Sequence, residues 1–244
     1  MDLVSKKVSR VFRPKANARQ AYDRLSHWYD LFAGSEDWFT FHGLQMVSVQ
    51  PGEKVLEIGP GTGKALLKLA QNTAEMGRVV GLDLSWGMLQ AARKKVIQTG
   101  QEAQVSLSLG DGAALPFATG SFDVIFMGFT LELFDTPEIP RVLDECMRVL
   151  RPEGRLGVVS LARPERFAPM VDAYEWVHRN FPDVADCRPI PAAEYLQEAG
   201  FFLQDCQRKP MWGMPVEMVV GCKIISVANA MNQTPVPQTI VAQP

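Results

Sequence analysis

The length, composition and charge of the chain fit one enzyme domain and exclude several other classes of protein. A chain of 244 residues is long enough for one large α/β domain, and no linker interrupts its middle. Charges of both signs are scattered along it and the net charge is only −2, which argues against a nucleic-acid groove or an acidic tail.

The cysteines and the apolar segments indicate the setting of the protein. Its four cysteines stand far apart without a C-x-x-C pair, so we predict neither a zinc or other metal site nor a secreted disulfide framework. No window of about 18 uncharged apolar residues exists, and the N-terminus lacks the apolar core of a signal peptide. We therefore expect a cytoplasmic protein that neither spans a membrane nor is exported by a signal peptide.

The N-terminal region divides into a basic arm and an aromatic helix. Residues 1–19 carry six Lys or Arg side chains against one acid. We interpret this arm as a solvated terminus; the alternative is an amphipathic helix in peripheral contact with an anionic membrane. A helix is predicted over residues 18–41, where aromatic side chains recur at helical spacing. Tyr22 and Tyr29 on this helix could reach a bound ligand and exclude water from it.

Residues 54–64 have the pattern of a strand, a tight turn and the start of a helix. An apolar run ends in a turn with glycines at Gly59, Gly61 and Gly63, which leave the backbone bare where a ligand must come close. The helix that follows offers unpaired N–H groups to a carboxylate or a phosphate. Glu57 lies at the carboxyl end of the strand, beside these groups.

Spacing separates three interpretations of this turn. A dinucleotide fingerprint needs a glycine five residues after Gly59, where this chain has Lys64. A triphosphate-binding loop needs glycine and a hydroxyl residue where the chain has Ile58 and Ala65. An acid at Glu57 beside free N–H groups instead suits a ligand that carries both an ammonium and a carboxylate group, as S-adenosylmethionine does.

The second predicted strand also ends at an acid. Asp83 follows an apolar run, and its two oxygens can accept hydrogen bonds from both hydroxyls of a ribose. Leu84, directly after Asp83, is a further candidate residue for contact with the cofactor. Ser85 is the predicted N-cap of a helix over residues 86–98, on which Met88 could line an adenine or pack in the core.

A third acid follows the third predicted strand, residues 105–109. Asp111 could accept from the exocyclic amine of adenine, while the small residues Gly112 and Ala113 let the ring approach the backbone. An Asp-Gly turn without a ligand explains Asp111 taken alone. The coincidence of acids at positions 57, 83 and 111, each after an apolar run, favours a site for the amino-acid, ribose and base parts of one cofactor.

The remaining elements complete an α/β fold. A fourth strand over residues 121–127 leads to Phe129 and Glu132, on the side from which a methyl acceptor should approach. Further strands are predicted at 156–161, 201–207 and 216–225. Helices are predicted from Pro137 to Leu150 and at 170–181 and 192–199. A turn is predicted at 151–154 and a loop at 211–215. We predict a Rossmann-like seven-stranded, mostly parallel sheet with one antiparallel edge strand and helices on both faces. The domain is expected over 20–228, followed by a disordered tail over 229–244.

Several of these motifs resemble one protein family. Over roughly residues 20–225 the chain is similar to class I S-adenosylmethionine-dependent methyltransferases. The segments Tyr29-Asp30, Leu115-Pro116-Phe117, Ser121-Phe122-Asp123 and Arg148-Val149-Leu150-Arg151-Pro152 resemble the branch of ubiquinone and menaquinone C-methyltransferases. This chain has Glu132-Leu133 where that branch has an Arg-Asn pair, so its acceptor side differs. The resemblance implies that S-adenosylmethionine is bound by Glu57, Gly59, Gly61, Gly63, Asp83, Asp111, Gly112 and Phe129.

The expected reaction is methyl transfer to a small apolar or aromatic acceptor, such as a quinol, a phenol or a lipid-like molecule. The sulfonium methyl is already electrophilic, so the protein must mainly align the acceptor and exclude water. We name Glu132 as the candidate base, with Tyr29 as the second candidate; a solvated loop acid without a chemical role is the alternative for Glu132. Rival functions are an S-adenosylmethionine-binding regulator without turnover and an NAD-dependent oxidoreductase.

Overall fold

A computed structural model describes residues 35–163 and 188–224 of the chain. Within these ranges it contains a seven-stranded sheet with helices on both faces, which confirms the predicted fold class. The strands are β1 (Lys54–Ile58), β2 (Arg78–Asp83), β3 (Val105–Leu109), β4 (Phe122–Gly128), β5 (Leu150–Leu161), β6 (Phe202–Met211) and β7 (Met214–Cys222). The helices are α1 (Asp37–Val47), α2 (Lys64–Thr73), α3 (Trp86–Gln98), α4 (Ile139–Val149) and α5 (Ala192–Glu198), with a short 3-10 helix at Leu131–Leu133.

The order of the strands places a ligand site between β1 and β4. The sheet runs β3-β2-β1-β4-β5-β7-β6, with β1 to β5 parallel and β7 antiparallel to both of its neighbours. From β1 the chain first builds outward through β2 and β3 and then returns to place β4 on the other side. Such a reversal opens a crevice at the carboxyl ends of the strands, where ligands bind in open α/β sheets.

Two connections differ from the sequence prediction. The turn expected at 151–154 lies inside β5, which already begins at Leu150; Glu153 adopts a positive φ of 63°, and the pairing with β4 shifts register between Phe122 and Val124. The loop expected at 211–215 is a tight hairpin turn between β6 and β7. Trp212 and Gly213 form that turn with φ values of 52° and 83°, the left-handed geometry that two-residue hairpin turns require.

The helices pack on the two faces of the sheet through separate apolar clusters. On one face α1 and α2 contribute Leu44, Val47, Leu66 and Leu69 to a cluster with residues of β1, β4, β5 and β7. On the other face α4 and α5 contribute Val142, Leu143, Cys146, Tyr195 and Leu196. Burial on both faces explains why β4 is apolar except for Asp123 from Phe122 to Met127, all of which are buried.

Part of the predicted chain lies outside the described ranges. The basic arm at 1–19, the tail at 229–244, the helix at 170–181 and the first part of the helix at 18–41 belong to this part. The proposed domain bounds therefore stay predictions. Among the residues described, no helix is long and apolar enough to cross a membrane.

Candidate cofactor and acceptor site

The glycine turn after β1 forms a tight backbone cradle. Gly59, Gly61 and Gly63 have φ values of 72°, 53° and 87°, a region that residues with a Cβ rarely adopt. A Cβ at Gly59 would lie 2.5 Å from Cγ2 of Thr130, and one at Gly63 would lie 3.0 Å from Cβ of Ala92. Gly63 is the N-cap of α2 and offers no side-chain cap, as is usual where the start of a helix binds an anion.

Glu57 provides a buried acid beside this cradle. Only 3% of the residue is exposed, and its Oε2 atom has no hydrogen-bond partner among the described residues. Burial, reinforced by the nearby negative charge of Asp83, raises the pKa of Glu57 to about 8. A buried carboxyl oxygen without a partner is unfavourable, so a cationic or donor group of a ligand fits at this position.

Asp83 links the ends of β1 and β2. Its Oδ2 atom accepts a hydrogen bond from the N–H of Gly61 at 3.2 Å, and its Oδ1 atom accepts one from the N–H of Ser85 at 2.8 Å. An ionised carboxylate has about four acceptor positions, so it can bond to the backbone and to a ligand at the same time. The carboxylate of Asp83 therefore holds the backbone of the glycine turn in place, besides lying next to it. The position of Asp83 at the end of a strand did not predict this structural role.

The N-cap predicted at Ser85 is confirmed. Its Oγ atom accepts a hydrogen bond from the N–H of Met88 at 3.1 Å, which fixes the start of α3. Met88 is buried and Leu84 is half-buried, so both are placed to pack beside the ends of β1 and β2. Their contact with an adenine stays a prediction.

The turn after β3 has the Asx geometry that Asp-Gly sequences favour. Asp111 accepts a hydrogen bond at Oδ1 from the N–H of Ala113 at 2.9 Å. A Cβ at Gly112 would lie 2.9 Å from Cζ of Phe134 and 3.1 Å from Cγ2 of Ile58. Close packing of Phe134 and Ile58 therefore explains the glycine at position 112, and the internal bond of Asp111 fits a turn without a ligand.

The chain leaves β4 through a strained residue. Phe129 is buried and has a φ of 50°, and its N–H donates to the carbonyl oxygen of Val159 at 2.7 Å. Non-glycine residues held in this region are concentrated at functional sites. The next residue, Thr130, donates from Oγ1 to the carbonyl oxygens of Gly128 at 3.0 Å and Gly59 at 3.4 Å. Thr130, which the sequence did not single out, thus ties the end of β4 to the glycine turn.

Glu132 lies in the 3-10 helix and is fully buried, so its interpretation as a solvated loop acid is wrong. Its Oε1 atom accepts a hydrogen bond from the N–H of Leu161 at 3.1 Å, and its Oε2 atom has no partner among the described residues. Burial raises the pKa of Glu132 to about 8; backbone hydrogen bonds and Arg188 oppose this rise, and Glu36 adds to it.

The two tyrosines predicted for the site, Tyr22 and Tyr29, lie outside the described residues. The helix predicted over 18–41 is described only from residue 35 onward, where α1 begins at Asp37 and ends at Val47, six residues later than predicted. Side chains of α1 contact the start of α2 and strand β6. Asp37 accepts from Nζ of Lys64, the first residue of α2, at 2.9 Å. Nζ of Lys209 on β6 lies 5.1 Å from the ring centroid of Trp38.

The apolar side chains at Trp38 and in residues 211–214 fall into two groups. Met211 is buried in the core, and Met214 packs against it, so these side chains serve packing. Trp38 and Trp212 are 51% and 76% exposed. Trp212 lies in the hairpin turn between β6 and β7, and strand pairing places this turn at the same end of the sheet as the carboxyl end of β5. Two exposed aromatic side chains therefore lie at the edge that carries the site.

Arg188 is a buried residue beside the segment after Glu132 that the sequence analysis did not single out. It is 1% exposed and donates from Nη1 to Oγ1 of Thr136 at 3.0 Å and from Nη2 to the carbonyl oxygen of Phe134. A single arginine among the prolines and apolar residues of 187–191 is the only sequence signal for it. No group of three His, Cys, Asp or Glu side chains suited to a metal ion occurs in ranges 35–163 and 188–224.

Comparison with known proteins identifies the family. A model described as a methyltransferase domain matches residues 55–154, which span the strands and turns of the site. A demethylmenaquinone methyltransferase of Symbiobacterium thermophilum is 28% identical over 222 residues, covering 78% of this chain and 86% of the relative. One of Listeria monocytogenes is 31% identical over 182 residues, covering 65% and 73%.

A solved structure supports the same assignment at the level of the fold. The crystal structure of a SAM-dependent methyltransferase from Aquifex aeolicus is 22% identical, covers 76% of this chain and 89% of its own, and has a TM-score of 0.58. With the sequence relatives and the glycine turn flanked by acids, this likeness agrees with the resemblance found in the sequence. The chain belongs to the class I S-adenosylmethionine-dependent methyltransferases, in the branch that includes the demethylmenaquinone methyltransferases.

Proposed function

We propose that this methyltransferase acts on a small apolar or aromatic molecule with an acidic hydroxyl or activated carbon, such as a quinol or a phenol. The observation that carries this proposal is a set of buried polar atoms at the carboxyl ends of three neighbouring strands. Oε2 of Glu57 near the end of β1, Oε2 of Glu132 after β4 and Oγ of Ser160 near the end of β5 have no partners among the described residues. Such atoms need a ligand, a water or a proton to be satisfied.

The cradle side of this group fits S-adenosylmethionine. Glu57 would hold the ammonium group, because its unpartnered oxygen lies beside the bare turn at Gly59 and Gly61. The N–H groups at the start of α2 would receive the carboxylate, and Asp83 would accept from the ribose hydroxyls. The bound cofactor supplies the methyl group as an electrophile. The turn at Asp111 and Gly112 would receive the base.

The acceptor side carries one acid suited to move a proton. With a pKa raised to about 8, Glu132 titrates near neutral pH, where a general base is efficient. We assign it the removal of the acceptor's hydroxyl proton onto Oε2, while the hydrogen bond from Leu161 holds Oε1 in place. Burial keeps bulk water from competing for that proton. Tyr29 remains the second candidate for this role.

The surroundings of the site favour an apolar acceptor. Trp38 and Trp212 are exposed at the edge of the sheet that carries Glu132, and flat aromatic rings can stack on such side chains. The two relatives described above are named demethylmenaquinone methyltransferases, which supports a quinol as the first compound to try. Lys209 lies over the ring of Trp38 and adds a positive charge at the rim, which suits an ionisable hydroxyl.

The test is methyl transfer to a panel of quinols, phenols and hydroxylated lipids, with S-adenosylhomocysteine as the measured product. Turnover with at least one of these acceptors is expected, and Glu132→Gln should lower kcat by about a hundredfold, within the usual range for a general base. Glu53→Gln is the control, because Glu53 is also buried but lies before β1, at the opposite edge of the sheet.

Unchanged turnover in Glu132→Gln would remove this residue from the mechanism. Binding of S-adenosylmethionine without consumption with any acceptor would instead favour the regulatory function.

A further inference from the structure

Among the described residues, Arg188 has the largest of the fully buried side chains, and both of its terminal nitrogens donate hydrogen bonds. Nη1 donates to Oγ1 of Thr136 at 3.0 Å, and Nη2 donates to the carbonyl oxygen of Phe134. Both acceptors belong to the segment that leaves the 3-10 helix containing Glu132. A buried guanidinium is unfavourable unless it is hydrogen-bonded, so this contact fixes where that segment lies.

A second connection joins Arg188 to Glu132 from the other side. Glu132 accepts at Oε1 from the N–H of Leu161, and the carbonyl oxygen of Leu161 accepts from the N–H of Ile190 at 2.9 Å. Ile190 lies two residues after Arg188 and pairs with Ala162 in an isolated parallel bridge. The chain around Glu132 is therefore closed into a ring of hydrogen bonds through the end of β5 and the segment 188–190.

The charges around Glu132 act in opposite directions. Burial is the main influence and favours the protonated carboxyl, and Glu36, just before α1, favours it further. Hydrogen bonds from the backbone N–H groups of Glu132 and Leu161 favour the carboxylate, and the positive charge of Arg188 does the same. Among the described residues, Arg188 is thus the cation that acts on this acid.

We propose that Arg188 is the positioning residue of Glu132: through its hydrogen bonds to Thr136 and Phe134 it fixes the segment that carries this carboxyl. The proposal deepens the proposed function and rests on it only for the proton transfer itself. The placement of the carboxyl and the effect of the charge can be measured without any acceptor. The experiments can therefore refute the positioning role of Arg188 without refuting methyl transfer, and the reverse.

The first experiment follows the titration of Glu132 directly. Protein labelled with ¹³C at the carboxyl carbon of glutamate is titrated by NMR, and the signal missing from Glu132→Gln assigns the residue. Arg188→Gln should raise the midpoint of this signal by roughly half a pH unit. This shift is smaller than the one that an opposite charge within about 6 Å usually causes, because Arg188 is the weakest of the influences on Glu132. Glu36→Gln should lower the midpoint, since it removes a like charge.

Arg148→Gln is the matched control for loss of an arginine. Arg148 also donates to two backbone carbonyl oxygens, those of Phe117 at 2.7 Å and Leu115 at 3.0 Å, but it does not act on Glu132. An unchanged Glu132 midpoint in Arg148→Gln with a raised midpoint in Arg188→Gln supports the proposal. An unchanged midpoint in Arg188→Gln, or an equal rise in both variants, overturns it.

The Arg188→Lys variant separates position from charge and also decides the case if Arg188→Gln fails to fold. Lysine keeps the positive charge but lacks the planar fork that reaches Thr136 and Phe134 together. With an acceptor from the panel, kcat should fall about ten- to a hundredfold with KM little changed, as small misplacements of catalytic groups cause. Wild-type kcat in Arg188→Lys would overturn the positioning role.

Discussion

Replacing Glu57 by Gln should make the ligand-free protein more stable at alkaline pH. Glutamine has nearly the same shape but no charge to bury, so it removes the penalty of ionising an acid in the core. The pKa of Glu57 is raised from 4.5 to about 8 on folding, chiefly by burial. Because the pKa of Glu57 is higher in the folded than in the unfolded protein, this residue contributes fully to the free energy of unfolding below pH 4.5. That contribution is lost as the pH rises towards 8.

The size of the effect follows from this difference. A shift of about 3.5 units, at about 1.36 kcal/mol per unit, gives an upper limit of about 5 kcal/mol at pH 8 and above. We expect the free energies of unfolding of Glu57→Gln and the wild type to follow the same course near pH 5. Towards pH 8 the value for Glu57→Gln should increasingly exceed that of the wild type. Urea unfolding followed by tryptophan fluorescence, at unit steps of pH, measures the difference.

Glu145→Gln provides a control with the opposite sign. The hydrogen bond from Arg148 lowers the pKa of Glu145, so its contribution is present above the unfolded pKa and is lost as the pH falls. This variant should therefore be less stable than the wild type at neutral pH and approach it in acid. If the curves of Glu57→Gln and wild type run parallel from pH 5 to 9, the account of Glu57 as a buried neutral acid is refuted.

Three smaller predictions follow from the cradle. Gly59→Ala should destabilise the fold by about 1–3 kcal/mol, seen in urea unfolding, because φ is 72° and the new Cβ would meet Thr130; wild-type stability would contradict this. Lys64→Ala removes the half-exposed ion pair with Asp37 and should change stability by less than about 1 kcal/mol; a larger loss would mean that α1 depends on it. S-adenosylmethionine binding at pH 7 should release about one proton, measured calorimetrically in buffers of different ionisation enthalpy, as Glu57 ionises; Glu57→Gln should abolish that release.

The sequence alone predicted the strands, the turns and the acids of the cofactor side. Each of these features is local, because a strand, a glycine turn and an N-cap are encoded within a few residues of one another. The boundaries of β1 and β3 and the cap at Ser85 accordingly agree with the structure. The position of Asp83 after a strand also predicted which edge of the sheet it faces.

The acceptor side was less accessible to sequence reasoning because it is made by contacts between distant segments. Arg188 meets Phe134 and Thr136 across more than fifty positions of sequence, and nothing near Arg188 in the chain signals these partners. The burial of Glu132 depends in the same way on how β5 and segment 188–190 close around the 3-10 helix. The irregular start of β5 at Leu150 likewise follows from pairing rather than from local propensity.

The most direct test of the central claim is a calorimetric titration of the purified protein with S-adenosylmethionine, S-adenosylhomocysteine and NADH. The account predicts binding of the first two and none of the third. Asp83→Ala should weaken that binding about ten- to a hundredfold, because charged hydrogen bonds to the ribose contribute about 1.5–3 kcal/mol each. Binding of NADH without binding of either sulfur compound would contradict it, and the glycine turn would then serve a dinucleotide.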